Sequence, residues 1–416
     1  MKRLLIIAYH FPPLAGSSGI QRTLRFVQHL PKFDWEPIVL SADPRAYERT
    51  SEDLMKDIPE GVVVRRAFAL DTARHLSIAG RYIGAMARPD RWVSWKIGAV
   101  REGMRMIREF KPQAIWSTYP IATAHLIGAE LQRRSGLPWI ADFRDPMAQD
   151  GYPADPLVWQ SYKSIEERTL STASYSTFTT PGAAQTYRSR YPNSAERIVV
   201  LENGYDEETF AEVESIGPLN QKIHPKAVTL LHSGIVYPEE RDPTQFFAAL
   251  GQLKTSGKIQ AGTLKIRFRA SVHDDLLNSL AKKYDVAEFI DCQPPIPYRE
   301  ALAEMLNADG LLVMQASNCN EQIPAKIYEY LRARRPIFAL TDPLGDTAAT
   351  LRNAGASDMA RLDSSSEICD VLPAFIDAIR RAKGASSLPL TPAIEQASRV
   401  GRTAQLAKLL DSITAR

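Results

Sequence analysis

Short apolar runs of strand length alternate with helix-length segments along this 416-residue chain, and the alternation occurs twice. Runs such as Lys2–Tyr9 (KRLLIIAY) are continuously apolar from Leu4 onward, which is typical of parallel strands buried on both faces. Strands that alternate with helices predict doubly wound parallel sheets. The strands are expected at 2–9, 37–41, 114–117, 138–142, 176–179 and 198–201, and again at 228–232, 264–270, 287–292, 310–317 and 336–340. The chain is therefore predicted to be α/β, with two such sheets in series.

A chain of 416 residues is too long for one hydrophobic core and suits two domains. We predict an N-terminal Rossmann-like domain over residues 1–210 and a second Rossmann-like domain over 226–385, separated by the polar segment 211–225. Residues 386–416 contain amphipathic helices, which we expect to pack back on the first domain.

Composition excludes several classes of protein. A net charge of +3 is far below the basic excess of a dedicated nucleic-acid binder. Cys292, Cys319 and Cys369 are widely separated, show no metal-binding spacing, and suit a reducing cytoplasm. The apolar run at the start is too short for a signal sequence, and no run approaches the length of a membrane span. We therefore expect a cytoplasmic protein without a metal site.

The segment Glu321–Arg335 (EQIPAKIYEYLRARR) predicts a helix over Ala325–Ala333, with Pro324 as its first residue. Lys326 falls in the first turn, where the helix dipole disfavours a cation unless an anion is nearby. Glu321 and Glu329 could bracket a bound ligand whose phosphates lie at the helix end. A solvated helix face with a Lys326–Glu329 pair accounts for the same residues.

Polar residues also follow two strands of the first series. The first strand runs into a loop containing Gly16 and Gly19, which predicts ligand contact or a plain tight turn. This loop lacks the G-x-G-x-x-G fingerprint, so a nicotinamide site is not expected. Asp142, Arg144 and Asp145 at the end of another strand predict either the polar lip of a site or a surface salt-bridge cluster.

The segment 74–108 carries eight Arg or Lys residues against only Asp90 and Glu102. Trp92 and Trp95 are interleaved with these cations. Basic residues beside tryptophans suit docking on an anionic membrane surface. The alternative is a solvated basic face whose tryptophans belong to the core.

Five motifs, spread in order over most of the chain, carry a family resemblance. They are HFPPLAGSSG, DFRDP, LENGYD, HSGIVYPEERDP and EQIPAKIYEYL, the last with Glu321 and Glu329 eight residues apart. With them the chain resembles the retaining nucleotide-sugar glycosyltransferases of the GT-B fold, specifically family 4. The resemblance implies two Rossmann-like domains facing a central cleft, the first binding the acceptor and the second the donor.

The resemblance also assigns roles in the second domain. It implies that Arg241 and Lys326 neutralise the donor diphosphate and that Glu321 contacts hydroxyls of the donor sugar. Glu329 would bond the nucleotide ribose, and Pro297–Tyr298 would hold the base. The chain departs from the usual family pattern at His232–Gly234, at Ala270 and at Gln322–Pro324.

In the first domain, the resemblance implies that Gly16 and Gly19 let the loop approach the sugar and phosphates of the donor. His10 and Asp145 are the candidates for orienting the acceptor. A histidine satisfied by its own neighbours at the strand end is the alternative for His10.

The expected reaction moves a sugar from a nucleoside diphosphate, UDP- or GDP-linked, to a hydroxyl of a glycan or lipid-linked glycan, with retained configuration. Cell-surface polysaccharide assembly, at the inner face of a membrane bound through residues 74–108, would suit it. No cofactor, metal or nucleic acid is expected. A sugar-nucleotide epimerase of the same fold and a non-catalytic partner of a transferase are the alternatives.

Overall fold

The computed structural model describes residues 1–17, 19–216, 222–382 and 388–415. These residues form two compact units, the first made of Met1–Asn203 with Arg399–Arg416 and the second of Gly204–Ser398. The sequence placed the divisions at 210–225 and at 385–386, and residues 217–221 and 383–387 lie outside the described residues.

The first unit is built on a parallel sheet of seven strands, within the described residues, in the order β3-β2-β1-β4-β5-β6-β7. The strands are β1 (Lys2–Ile7), β2 (Trp35–Ala42), β3 (Val63–Ala67), β4 (Ala114–Thr118), β5 (Trp139–Arg144), β6 (Tyr175–Phe178) and β7 (Ile198–Val200). The helices before residue 204 are α1 (Gly19–His29), α2 (Thr72–His75), α3 (Trp95–Phe110), α4 (Thr123–Ser135), α5 (Pro156–Thr172) and α6 (Pro181–Arg190). The strand order reverses between β1 and β4, which places ligand contact at the carboxyl ends of these strands.

The second unit has a parallel sheet of six strands, again within the described residues, in the order β10-β9-β8-β11-β12-β13. Its strands are β8 (Val228–Ser233), β9 (Leu264–Arg269), β10 (Ile290–Gln293), β11 (Gly310–Met314), β12 (Ile337–Leu340) and β13 (Met359–Ala360). Its helices are α7 (Glu207–Ile216), α8 (Thr244–Thr255), α9 (Asp274–Lys283), α10 (Tyr298–Asn307), α11 (Lys326–Ala333), α12 (Asp346–Asn353), α13 (Ser365–Ala382) and α14 (Pro392–Gln396). Here the order reverses between β8 and β11.

Short 3₁₀ helices complete the connections, at Leu30–Phe33, Pro44–Ala46, Met55–Asp57, Gly84–Ala87, Pro192–Arg197, Ala287–Phe289 and Ser317–Cys319. The predicted strand 287–292 therefore begins as a helical turn and becomes extended only at Ile290. Strand β3 was not predicted because Arg65 and Arg66 interrupt its apolar pattern, and β13 was not predicted because it spans only two residues. Helices α2, α3, α5, α6, α7, α12 and α13 were not predicted either.

Burial of both sheet faces explains the continuous apolar strands. In β1, Leu5 and Ile7 face one hydrophobic layer while Leu4 and Ile6 face the other, and all four are fully buried. Successive side chains of a strand point to opposite faces, so a sheet covered on both sides needs apolar residues at every position. The predicted α/β class with two doubly wound parallel sheets is confirmed.

The last described helix, α15 (Arg399–Thr414), belongs to the first unit, where Leu406 and Leu410 join the layer that contains Leu4. In the second unit, α7 is held to α11 by Arg332. The guanidinium pairs with Glu207 and Glu214 and lies 4.9 Å from the centre of the Phe210 ring. These contacts explain why the second unit starts before α7 rather than after it.

The basic segment 74–108 contains the crossover helix α3, and its tryptophans are not surface residues. Trp95 is fully buried, and Trp92 is partly buried against Tyr9, with ring centres 5.0 Å apart. The prediction that tryptophans and cations share an exposed face is therefore wrong for the tryptophans. Among the described residues, no helix is long and apolar enough to span a membrane.

Candidate functional site

Helix α11 begins beside the end of β8, at the point where the strand order of the second sheet reverses. Lys326 is its first residue, and Lys326 Nζ lies 3.1 Å from Nε2 of His232. His232 is fully buried and its Nδ1 lies 3.0 Å from the carbonyl oxygen of Leu312. A neutral imidazole donates from one nitrogen only, so Nδ1–H donates to Leu312 and Nε2 accepts from the lysine.

Two further contacts fix this arrangement. The hydroxyl of Tyr330, on the second turn of α11, accepts a hydrogen bond of 2.8 Å from the backbone N–H of Ser233. Gly234 has φ of +118°, and a Cβ atom there would lie 3.2 Å from Lys326 Nζ. A side chain at residue 234 would therefore be strained and would crowd the ammonium group.

The electrostatics of Lys326 favour an anion. Burial and the nearby Arg241 lower the pKa of Lys326 well below its usual value, although Glu329 acts in the opposite direction. Arg241 is held by a hydrogen bond to the Ile235 carbonyl, and its guanidinium lies 5.1 Å from the centre of the Tyr237 ring. Two cations and a helix N-terminus thus meet where a diphosphate would restore the charge of the lysine.

The predicted ribose and base residues are neighbours. The Tyr298 hydroxyl donates a hydrogen bond of 2.8 Å to Oε1 of Glu329, and Pro297 immediately precedes α10. Tyr298 is 42% exposed, so its ring is open to a ligand. The hydrogen bond fixes the orientation of Glu329 relative to α10.

Glu321 is exposed on the loop between β11 and α11. Its loop is ordered by the buried Gln315, whose amide donates to the carbonyl oxygens of Cys319 at 2.8 Å and Gln322 at 3.0 Å. Thr347 donates to the Gln322 carbonyl as well, at 3.1 Å. The helix itself starts at Lys326, two residues later than predicted, and Pro324 instead accepts a hydrogen bond from Ile327 N–H.

In the first unit, the end of β1 carries a second cluster. His10 Nδ1 lies 2.9 Å from Oγ of Ser17, and this hydroxyl also accepts a hydrogen bond of 3.2 Å from Gly19 N–H. Burial and the neighbouring Arg144 lower the pKa of His10 to about 4. His10 is therefore neutral at neutral pH.

Gly19 is the first residue of α1 and lies against this histidine. A Cβ atom at Gly19 would be 2.7 Å from His10 Nδ1 and 2.5 Å from Arg144 Nη1. Gly16 has φ of +81° with open space around it, and Ser18 lies outside the described residues. Asp145 is exposed and follows Arg144 directly. The structure therefore brings His10, Gly19 and the Arg144–Asp145 turn together.

Asp142, predicted as part of a polar lip, is instead a buried structural residue. Its carboxylate accepts two hydrogen bonds from Arg22, at 2.9 and 3.0 Å, and others from Thr118 and Thr177. Burial opposes ionisation, but the pairing with Arg22 holds the pKa of Asp142 below its usual value. The same guanidinium bonds the carbonyl oxygens of Leu201 and Glu202 and so ties α1 to the end of β7.

Sequence reasoning did not assign His232, Ser17 or Tyr330 to a site. Only the position of His232 at a strand end, directly before a Ser-Gly pair, could have indicated it. Among the described residues, no group of three or more His, Cys, Asp or Glu side chains could hold a metal ion.

One family model matches most of the first unit. Residues 18–204 match the family model of the glycosyl transferase 4-like domain. The match lies almost wholly within the first unit and covers less than half of the chain. No curated protein sequence matches the chain.

Solved structures of similar fold cover nearly the whole chain. Sucrose-phosphate synthase from Thermosynechococcus elongatus has a TM-score of 0.65 at 12% identity, with 100% of both chains covered. HepE from Anabaena, in complex with UDP and glucose, has a TM-score of 0.65 at 13% identity and covers 99% of this chain and 100% of its own. The proposed UDP-N-acetylglucosamine 2-epimerase of Listeria monocytogenes scores lower, 0.56 at 11% identity, over 99% of this chain and 96% of its own. These likenesses show that the chain has the GT-B fold.

Proposed function

We propose that the protein is a glycosyltransferase that moves a sugar from a nucleoside-diphosphate sugar to a hydroxyl of a glycan or lipid-linked glycan. The observation that carries the proposal is the half-buried Lys326, placed at a helix N-terminus beside Arg241. A cation in that position weakens the unliganded fold, and a bound diphosphate reverses the effect. The neighbour HepE, solved with UDP and glucose, supports this choice of donor.

Each predicted residue has a role in this proposal. Lys326, Arg241 and the N-terminus of α11 stabilise the negative charge that develops on the departing diphosphate, so no metal ion is required. Glu329 accepts hydrogen bonds from the ribose, and Tyr298 with Pro297 contacts the base. Glu321 holds hydroxyls of the transferred sugar.

The acceptor is proposed to bind beside His10 and Asp145, with Gly16 and Gly19 allowing close approach of the donor. The acceptor oxygen bonds to the anomeric carbon, the bond from that carbon to the diphosphate breaks, and the acceptor proton passes to the departing diphosphate. The acceptor attacks from the same face of the sugar that the diphosphate leaves, so the anomeric configuration is retained. The proposed setting is polysaccharide assembly in the cytoplasm, at the inner face of a membrane bound through residues 74–108.

The test is a thermal-shift panel with UDP, GDP, ADP, CDP and dTDP. A nucleotide that binds only the folded state at 100 times its Kd adds about 2.7 kcal/mol to the free energy of unfolding. We expect one nucleotide, UDP or GDP, to stabilise the wild type most, Glu329→Ala clearly less and Lys326→Ala hardly at all. Undiminished stabilisation of both variants would refute the assigned site.

An epimerase of the same fold is the second candidate, because the Listeria monocytogenes protein is among the structural neighbours. Incubation of the protein with the sugar nucleotide that stabilises it, without acceptor, separates the two. An epimerase converts the donor to a second sugar nucleotide, whereas a transferase leaves it intact until an acceptor is added. A non-catalytic partner would bind the nucleotide and give neither product.

A further inference from the structure

An apolar groove of about 1000 Å³ lies along one face of α3 in the first unit. Its apolar lining comes from α3, α2 and the turns between them, namely Leu76, Met86, Val93, Ile97, Val100 and Met104. Ile97 is 81% exposed and Met86 is 41% exposed. Apolar side chains that line an open groove at such exposure mark a surface that binds an apolar partner.

The rim of this groove is strongly basic. Lys96, Arg101, Arg108 and Arg134 line it, against a single carboxylate, Glu130. Glu130 is already paired with Arg133 at 2.8 Å and with Arg134 at 2.6 Å. The rim therefore keeps an excess of positive charge, which suits a ligand with an anionic head and an apolar chain.

Aromatic contacts connect the segment that lines the groove with the strand end that carries His10. Tyr9, which precedes His10, contacts Trp92 at 5.0 Å and Trp95 at 5.9 Å between ring centres. Val93 of the groove lining lies between these two tryptophans in sequence. The two tryptophans thus pack against Tyr9 and do not line the groove.

We propose that this groove binds the hydrocarbon chain of an anionic lipid from a membrane surface, with the lipid phosphate on the basic rim. The proposal rests on the proposed function and deepens it, because it names the apolar groove and the basic rim through which the protein would contact a lipid. A second copy of the chain is a poorer occupant, because a symmetric interface would bring two copies of the same basic rim together.

The experiment is co-sedimentation of the full chain with vesicles of phosphatidylcholine, with and without phosphatidylglycerol. We expect wild type to bind the anionic vesicles more tightly, and Ile97→Asp to bind them at least about tenfold more weakly. Ile216→Asp is the matched control, since Ile216 is also 81% exposed but lies in the second unit. The control should bind as wild type does.

A charge variant tests the rim. Arg101→Gln combined with Arg108→Gln should weaken binding to anionic vesicles roughly 30-fold and reduce its dependence on salt. Lys282→Gln combined with Lys283→Gln, on exposed positions of α9, is the matched control and should change neither. Thermal unfolding of each variant checks that the fold is intact.

Equal binding of wild type and Ile97→Asp, or no preference of wild type for phosphatidylglycerol, would overturn the proposal. A concentration-dependent dimer of wild type that Ile97→Asp abolishes would overturn it in favour of a second copy. Nucleotide stabilisation is measured on the same samples and should be unchanged in Ile97→Asp. Its absence from wild type would refute the donor site and leave the groove untouched.

Discussion

Lys326→Met should separate nucleotide binding from stability. The ammonium group has three donors, one of which is used by His232, so two remain for a diphosphate. A hydrogen bond to a charged group contributes about 1.5–3 kcal/mol. Loss of two at the lower value is about 3 kcal/mol, or roughly a 150-fold increase in the Kd of the nucleotide that binds. Isothermal titration calorimetry measures this Kd directly.

The same substitution should not weaken the fold. Because burial and Arg241 disfavour the charged lysine in the unliganded protein, methionine removes a destabilising charge. This gain is offset because the buried Nε2 of His232 loses its donor, so the free energy of unfolding is expected to stay within about 1 kcal/mol of wild type. Lys258→Met, at an exposed position of the second unit, is the control and should change neither the Kd nor the stability.

The pH dependence has a definite sign. Because the folded pKa of Lys326 lies below its usual value of 10.5, the unfolded chain binds more protons between those two values. The free-energy penalty for burying the charged lysine is full below the folded pKa, and it is lost as pH rises toward 10.5. Diphosphate binding raises the pKa of the lysine, so binding takes up a proton and weakens as pH rises through the unliganded pKa. A Lys326→Met variant with wild-type Kd and the same pH dependence would refute this reasoning.

Three further predictions follow from other contacts. Glu329→Ala should raise the nucleotide Kd at least about tenfold, as measured by calorimetry. Tyr298→Phe only removes the hydrogen bond that orients Glu329, so it should raise the Kd about fivefold. Equal losses of affinity in the two variants would contradict the assigned roles. Gly19→Ala should lower kcat of transfer about 100-fold by displacing the His10 cluster, whereas Gly84→Ala, in open space, should not. Arg332→Met should lower the free energy of unfolding by about 2 kcal/mol in urea denaturation, since it leaves two carboxylates of α7 without their cation; a loss below about 0.5 kcal/mol would contradict that reading.

The fold could be predicted where strands are buried on both faces, as in β1, whose every side chain from Leu4 to Ile7 meets an apolar layer. Strand β3 was missed because Arg65 and Arg66 interrupt its apolar pattern. Their partners, Glu109 for Arg65 and Pro12 with Tyr47 for Arg66, are distant in sequence. A local pattern cannot show that a charged edge strand is satisfied by residues tens of positions away.

The candidate site, like the fold, could be predicted from the sequence only in part. The spacing of Glu321, Lys326 and Glu329 within one segment is a local feature, so the sequence could indicate it. The role of Asp142 depends on Arg22, more than a hundred residues earlier in the sequence. The charged run from Asp142 to Asp145 was predicted to lie at the surface, but Asp142 at its start is buried and Asp145 at its end is exposed. Charged residues that are close in sequence can therefore differ in burial, and only tertiary contacts decide which of them are buried.

The two histidines at the carboxyl ends of β1 and β8 show how similar positions acquire different uses. Both are kept neutral, chiefly by burial and then by a neighbouring cation, Arg144 for His10 and Lys326 for His232. Both ring nitrogens of His232 are engaged, Nδ1 with the Leu312 carbonyl and Nε2 with Lys326, so this histidine orients the lysine. His10 is bonded through Nδ1 to Ser17, which leaves Nε2 as its remaining polar atom. The same residue type therefore positions a cation in the second unit, and in the first it is a candidate to contact a ligand directly.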